Sequence, residues 1–385
     1  MQDNTPVTYI APILDTSGYS EASRNYIAAL LSVGVSVSIE PISFEIEPAP
    51  LGRIGSLLVE HIRRDIPTKI NMLHMTPENY PRFLDKDKYN IGLTTWETSR
   101  LPDSWVPLIN QLDEVWVPCE YNVENFKESG VTKPIFKFPH TINIEYLSAS
   151  EEASTQKSIS VPDDTFLFYS IFQWLPRKNP LGLIAAYLTE FNQDDKVCLV
   201  IKTYKQISSS HNLGEDKNWL RHQIFSIKDG LHLSYYPPIK LIAIPLSRDE
   251  ILALHQRGDC FVLISRSEGF SLTHFESMCL GKPTIGTNYG GNLEFMNKTN
   301  SLLVDCTETI VSGMPWPIYT GKQNWSEPSI LDFRKKMRWV YENKEEARLL
   351  GERAQQDILG KYSWQNIGRK MQERLKEISG NTTND

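Results

Sequence analysis

No stretch of this 385-residue chain is apolar for long enough to cross a bilayer: the run through Cys260 to Ile264 is typical, far short of the ~20 residues a spanning helix needs. Cysteine is also scarce. There are five, Cys119, Cys198, Cys260, Cys279 and Cys306, an odd number with no short CxxC pair. That pattern offers neither a disulfide framework nor a zinc site, and reads as free, mostly buried thiols in a reducing cytosol. Positive charge is in deficit: 40 Lys and Arg against 47 Asp and Glu leave a net charge of −7, which excludes general nucleic-acid binding. The local run Arg334, Lys335, Lys336 and Arg338 reads as the solvated face of a helix. Met1 to Pro6 carries polar and acidic residues where a secretory leader places basic and then apolar ones, so the expected location is cytoplasmic.

What is present is the composition of a globular enzyme, 40% hydrophobic and 23% charged, in a chain long enough for two domains rather than one. The apolar run Val7 to Leu14 predicts a first strand. The small-residue turn Asp15 to Ser20 leads into a helix from Glu21 to Val33 and a strand from Val35 to Ile39, one βαβ unit. Further strands are expected at Ile70 to Leu73, Ile91 to Thr95, Glu114 to Val117 and Ile135 to Phe138. The stretch Leu147 to Ser160, polar and aperiodic, reads as a linker.

The alternation then restarts. Strands are predicted at Phe166 to Phe172, Val197 to Lys202, Leu241 to Ile244, Cys260 to Ile264 and Pro283 to Thr287. Helices are predicted at Leu181 to Phe191, Trp219 to Lys228, Arg248 to Gln256 and Thr273 to Leu280, and Gln206 to Lys217 as an exposed loop. From about Leu331 to Ile378 the composition is that of long helices. The expected fold class is α/β, with two Rossmann-like doubly wound domains and a ligand cleft between them, because such sheets bind ligands at their carboxyl edges. The expected boundaries are 1–150, 151–360, and a tail of 361–385 that crosses back to brace the first domain.

The chemistry concentrates in SRSEGFSLTHFESMCLGKPTIGTNYGGNLEF, Ser265 to Phe295. Glu268 stands in a loop after a strand, and Glu276 lies about two turns into the helix that follows. Gly281 and Pro283 stop that helix. The amides of Phe270, Ser271 and Leu272 are expected at the helix start, where unpaired N–H groups and the helix dipole favour phosphate. Ionised carboxylates accept hydrogen bonds only, which suits sugar and ribose hydroxyls.

This segment resembles the signature of the large retaining GT-B glycosyltransferase family (glycosyltransferase family 4, group 1) that includes sucrose synthase and many bacterial polysaccharide enzymes. The family's two glutamates are separated by seven residues, as Glu268 and Glu276 are. EGF before the helix, ESM-x-x-G-K-P at its end, the pair Gly290-Gly291 and Glu294 also match. Phe172 to Pro180 resembles the turn whose basic side chains hold the donor diphosphate, although many members carry Gly-Arg at the place of Phe172-Gln173. Gly18-Tyr19-Ser20 resembles the small-residue loop that approaches the phosphate. Thr94 to Trp105 and Asp113 to Asn122 look like a polysaccharide-associated branch. Trp96-Glu97 replaces the histidine that many relatives carry after the matching strand.

The resemblance implies retaining transfer of a sugar from a nucleoside diphosphate sugar to a hydroxyl of a glycan or lipid-linked acceptor. A lipid-linked acceptor would bring the protein into peripheral contact with the inner face of the membrane. It implies donor binding by Gly18, Arg177, Lys178, Lys202, Glu268, Gly269, Phe270, Ser271, Leu272 and Glu276. It implies catalysis by Glu268, Lys178 and Glu97, with Trp96 and Glu97 on the acceptor side. No cofactor and no metal is expected, since Lys178 and the helix amides carry the leaving-group charge. Asp85-Lys86-Asp87 mimics an Asp-x-Asp metal motif but sits in a lysine-rich loop. His74 and His140 end strand-like runs and read as structural. A sugar-nucleotide epimerase and a non-catalytic partner subunit remain as alternatives, and the base, sugar, acceptor and oligomeric state stay open.

Overall fold

A computed structural model describes residues 5–15, 17–43, 52–147, 161–205 and 213–381. The chain divides into two compact units, Met1–Tyr146 with Leu359–Asp385, and Leu147–Ile358. No helix among the described residues is long and apolar enough to cross a membrane.

The first unit contains β1 (Val7–Pro12), α1 (Gly18–Ser32), β2 (Val37–Ile42), α2 (Gly55–Leu58), β3 (Ile70–His74), β4 (Tyr89–Leu93), α3 (Trp105–Ile109), β5 (Glu114–Val117), α4 (Glu120–Glu128) and β6 (Ile135–Lys137). Its described strands form one parallel six-stranded sheet in the order β2-β1-β3-β4-β5-β6. Val7, Tyr9, Ile10 and Ala11 of β1 are all buried, as expected of a strand covered on both faces. Ser17 caps α1 by accepting the Ser20 N–H at 3.2 Å.

The second unit contains β7 (Phe166–Gln173), α5 (Pro180–Glu190), β8 (Val197–Tyr204), α6 (Leu213–Leu231), β9 (Ile239–Ile242), α7 (Arg248–Arg257), β10 (Cys260–Leu263), α8 (Leu272–Cys279), β11 (Thr284–Thr287), β12 (Leu302–Val304), β13 (Cys306–Ile310), β14 (Asn324–Pro328), α9 (Ile330–Glu342) and α10 (Lys344–Lys361). Its main sheet is again parallel, with order β12-β11-β10-β7-β8-β9. Strand order reverses between β7 and β10. The core is strongly aromatic, with Phe168, Tyr169, Tyr187, Phe191 and Phe261 buried together.

The last helix, α11 (Trp364–Asn381), returns to the first unit and packs along α1. Trp364 is buried against Ala28 and Ala29, and its indole N–H donates to Asn25 Oδ1 at 3.0 Å. Arg374 donates to Glu114 Oε2 at 2.6 Å, meeting a carboxylate that is fully buried in β5. Glu114 also accepts from Tyr89 and Trp116, so its charge is satisfied from three elements or their flanks.

Several expectations need correction. The expected loop from Gln206 to Lys217 is helical from Leu213 onward, because Leu220 and its neighbours extend one amphipathic helix back to that point; residues 206–212 lie outside the described residues, as do 148–160 of the expected linker. The antiparallel pair β13–β14 was not legible as strands, since its alternation is broken by exposed polar residues such as Thr307 and Glu308. The basic run on α9 is not a free solvated face. Arg338 binds Glu190 and Asp195, Arg334 binds Glu190, and Lys336 binds Asp332.

The contact between α1 and α11 yields a direct test. A Cβ at Gly368 would sit 2.3 Å from the Ala29 carbonyl oxygen, a backbone atom that cannot swing aside. Gly368→Ala should therefore cost about 1–3 kcal/mol through forced separation of the helices. Chemical denaturation measures it, and an unchanged midpoint would show the helices are not in that contact.

Candidate active site

Open doubly wound sheets bind ligands at the carboxyl ends of their strands where the strand order reverses. In the second unit that point lies between β7 and β10, and the loops leaving both strands carry the charged residues singled out from the sequence. After β7, Pro176–Lys178 forms one tight turn and Asn179 follows in the left-handed region, φ 52°. Asparagine tolerates that backbone, and its Oδ1 accepts the Gly182 N–H at 3.2 Å, capping α5 just behind Pro180. After β10, the Arg266 N–H donates to the Arg177 carbonyl at 2.7 Å, tying the two loops together.

Glu268 is the centre of this arrangement. Its Oε1 lies 2.5 Å from Lys178 Nζ and accepts from Ser265 Oγ at 2.5 Å, while Oε2 accepts from Arg177 Nη1 at 3.1 Å. Glu268 and Arg177 are buried, and Lys178 is only 14% exposed. Burial alone would raise the Glu268 pKa, but the neighbouring Lys178 and Arg177 charges and the hydrogen bonds pull it down to about 2. It is a permanent anion at neutral pH, an acceptor and a counter-charge rather than a proton donor. Its backbone is gripped as well. The Gly291 N–H donates to the Glu268 carbonyl at 2.7 Å, and Gly290 has φ 92° with its Cβ direction 3.0 Å from that same oxygen. Only glycine fits there, on both conformation and space.

Glu276, inside α8, is equally buried but has a separate set of partners. Arg248 Nη2 lies 2.7 Å from its Oε1, and His255 Nε2 lies 3.6 Å from its Oε2. Burial would raise its pKa, but the Arg248 charge, the His255 contact and the Arg248 hydrogen bond together hold it well below the ordinary carboxylate range. Lys202, at the end of β8, is also buried. Among the described residues it has no carboxylate within ion-pair range; its Nζ lies 5.4 Å from the centre of the Tyr204 ring, and burial lowers its pKa to about 8.

The remaining expected residues take varied places. Ser271 precedes α8 in the left-handed region (φ 74°), and its hydroxyl lies 2.6 Å from His274 Nδ1. Burial lowers the His274 pKa to about 4, so the ring is neutral. With Nε2 3.0 Å from the Leu263 carbonyl, Nε2 carries the proton and Nδ1 accepts from Ser271. Leu272 opens α8. Gly269 is buried just before it, and Phe270 is packed against Phe275 and Phe295 rather than presented to a ligand by its ring.

In the first unit Gly18 is the first residue of α1, beside the reversal between β1 and β3, and is not among the glycines with positive φ. Trp96 is buried edge-on against Trp105, with its indole N–H donated to Thr98 Oγ1 at 2.6 Å and the Arg100 carbonyl at 2.7 Å. That geometry makes its side chain a packing element. Glu97 beside it is half-buried. His74 and His140 are buried near Tyr26, and burial keeps both neutral; His74 Nδ1 lies 2.8 Å from Tyr9 Oη and 3.0 Å from Ser23 Oγ.

Three charged or titratable neighbours of the glutamates were missed in the sequence. Arg248 follows Ser247, which with Glu250 forms a capping box; the S-x-x-E pattern marks the helix start but not the reach of Arg248. His255 lies seven residues further on, with nothing local to connect it to Glu276. Arg266 holds the Pro176 carbonyl and pairs with Glu327 of β14 through Nε at 2.6 Å and Nη2 at 3.1 Å. Its guanidinium lies 5.4 Å from the centre of the Trp325 ring, so the hairpin β13–β14 braces the loop carrying Arg177 and Lys178.

Residues 239–313, which include Glu268, Glu276, Arg248 and His255, match the family model described as glycosyl transferases group 1. Among curated proteins the chain is 24% identical over 237 residues to uncharacterized protein 356 of the Sulfolobus islandicus rod-shaped virus 1. That match takes in 60% of this chain and 61% of the viral protein, so the chain spans about three-fifths of the length of the relative it matches. Among solved structures it is similar to Anabaena HepE in complex with UDP and glucose, with a TM-score of 0.69 and 11% identity over 97% of this chain and 100% of that one. It is similar also to the sucrose-phosphate synthase of Thermosynechococcus elongatus, with a TM-score of 0.66 and 13% identity over 98% and 100% of the two chains. The chain therefore has the two-domain α/β GT-B fold.

The Glu268 cluster can be tested without a substrate. Glu268→Gln keeps the shape but removes the buried carboxylate that faces Arg177 and Lys178, and should cost about 3 kcal/mol of stability near neutral pH. Because its pKa is lowered from 4.5 to about 2, wild-type stability should fall as pH drops through that window, and the variant should lose that part of the dependence. Denaturation curves of the two proteins that run parallel through this window would refute the ion-pair assignment.

Proposed function

We propose that the chain is a retaining glycosyltransferase that moves a sugar from a nucleoside diphosphate sugar to a hydroxyl of a glycan or lipid-linked acceptor. The observation that carries this reading is the Glu268–Lys178–Arg177 cluster at the strand-order reversal of the second unit, within and beside the matched family segment.

In this reading the donor diphosphate binds beside Lys178 and Arg177, with Lys202 as a further cation. As the glycosyl bond breaks, negative charge grows on the departing diphosphate. Fixed cations in a buried setting stabilise that charge without reorganising. Glu268, held ionised, keeps the two cations in place before the donor arrives and accepts hydrogen bonds from sugar hydroxyls. Glu276 accepts from the ribose hydroxyls. The first-turn amides of α8, after Ser271, add a partial positive charge near the same loop. Glu97 faces the acceptor side. The cations supply the leaving-group stabilisation, so no divalent metal is required.

The first experiment offers the protein UDP-, GDP-, ADP- and TDP-sugars and assays release of the nucleoside diphosphate; UDP-glucose leads because Anabaena HepE was solved with UDP and glucose. Slow hydrolysis of one donor is expected, undiminished by EDTA. Lys178→Met should lower turnover roughly 100- to 1,000-fold while weakening intact-donor binding far less. No release from any donor would overturn the transferase reading. Loss on chelation, with recovery on adding magnesium, would overturn the metal-free account.

Lys202 has its own readout. With its pKa lowered to about 8, an adjacent diphosphate should raise it and draw in protons on binding. Calorimetry of nucleoside diphosphate binding near that pH, in buffers of different ionisation enthalpy, should detect the uptake, and Lys202→Met should abolish it. Identical proton uptake in wild type and variant would remove Lys202 from the diphosphate site.

A further inference from the structure

Beneath Glu276 lies a buried side-chain chain that the donor-site reading does not use. His255 is fully buried, with Nδ1 3.0 Å from Tyr169 Oη and Nε2 3.6 Å from Glu276 Oε2; that Nε2 has no hydrogen-bond partner within the usual distance. Tyr169 is fully buried on β7, its ring edge-on to the imidazole at 5.4 Å. Gly258 makes room for that ring: a Cβ there would sit 2.1 Å from it. Burial keeps the phenol protonated and lowers the His255 pKa, so both groups are neutral at physiological pH.

The protons can then be placed. If Nδ1 carried the hydrogen, the bare lone pair of Nε2 would face an ionised carboxylate at 3.6 Å, and the phenol would have no partner for its O–H. The tautomer with hydrogen on Nε2 removes both conflicts: Tyr169 donates to Nδ1, and Nε2–H points at Glu276 Oε2. Arg248 holds Oε1 from the opposite side at 2.7 Å. The carboxylate is thus held at Oε1 by Arg248 and faced at Oε2 by the imidazole N–H, while each oxygen keeps a lone pair for a further donor.

We infer that His255, oriented by Tyr169, is a positioning residue that sets the Glu276 carboxylate to receive the two hydroxyls of a ribose. The inference rests on the reading that Glu276 binds ribose. It assigns His255 no contact with the ligand. The long 3.6 Å approach closes to a hydrogen bond when the diol seats on the carboxylate.

The test compares UDP with 2′,3′-dideoxy-UDP by calorimetry on the full chain, in wild type, His255→Phe, His255→Gln and Glu276→Gln. If UDP is not bound, GDP or ADP and its dideoxy form take its place. Phenylalanine keeps the ring packing but removes the donor. It should weaken UDP binding about five- to tenfold, the effect of one lost hydrogen bond, and leave the dideoxy nucleotide within about twofold. Glutamine returns an N–H at similar reach and should restore most of the loss. Equal weakening of both ligands by His255→Phe would mean general structural damage, and no weakening of either would mean no role; both overturn the inference. Glu276→Gln separates the inference from its premise. If this variant still prefers UDP over the dideoxy form as wild type does, the ribose assignment has failed. If it loses the preference while His255→Phe keeps it, the ribose assignment stands and His255 is only packing. Failure of every nucleoside diphosphate to bind the wild type would overturn both.

Discussion

A carboxylate removed from water must be met by opposite charge, and the second unit is arranged around meeting one. Glu268 stands in the loop after a central strand, in a position where desolvation alone would raise its pKa. Arg177 and Lys178 prevent that, and they reach it because the strand that precedes them is the immediate neighbour in the sheet. Much of the local backbone follows from this requirement. The left-handed Asn179 turns the chain into α5 directly after the cations, the Gly290-Gly291 pair closes on the Glu268 main chain, and Arg266 fastens one loop to the other. A bound anion would therefore enter a site whose cations are already oriented by an internal carboxylate, which lowers the cost of organising them at the moment of binding.

The two glutamates of the motif illustrate how one residue type is given different surroundings. Glu268 has two cations and a serine hydroxyl, all on loops. Glu276 has one cation and a neutral imidazole, both on the preceding helix α7. The first set is suited to a site where charge changes during reaction. The second is suited to static recognition, since a neutral partner adds direction without adding field.

Legibility in the sequence tracked how local the cause was. Strand and helix patterns such as Val197 to Lys202 or Arg248 to Gln256 are written in consecutive residues, and the structure places elements there with ends shifted by a residue or two. Glu268, Arg177 and Lys178 were found as candidates because short motifs surround them, although their mutual contact joins residues ninety positions apart. His255 and Arg266 carry no such marker. Their importance comes from the packing of α7 against β7 and from a hairpin whose strands are too polar to announce themselves. Trp96 was singled out through the resemblance, and nothing local in the sequence announces that Thr98 and the Arg100 carbonyl lie close enough to occupy its indole N–H.

The return of α11 to the first unit has a consequence for how the protein is made. All but the end of that unit's sheet and helices is translated before any of the second unit. Yet α1 is covered by Trp364 and Gly368, and the buried charge of Glu114 is met by Arg374, residues that leave the ribosome only after the entire second unit. The second unit draws on one contiguous stretch and is free to fold as it emerges. The first unit must wait, with an apolar helix face uncovered and a carboxylate uncompensated, for roughly the 10 to 40 seconds that translation of the intervening residues takes. The order of completion is thus the reverse of the order of appearance.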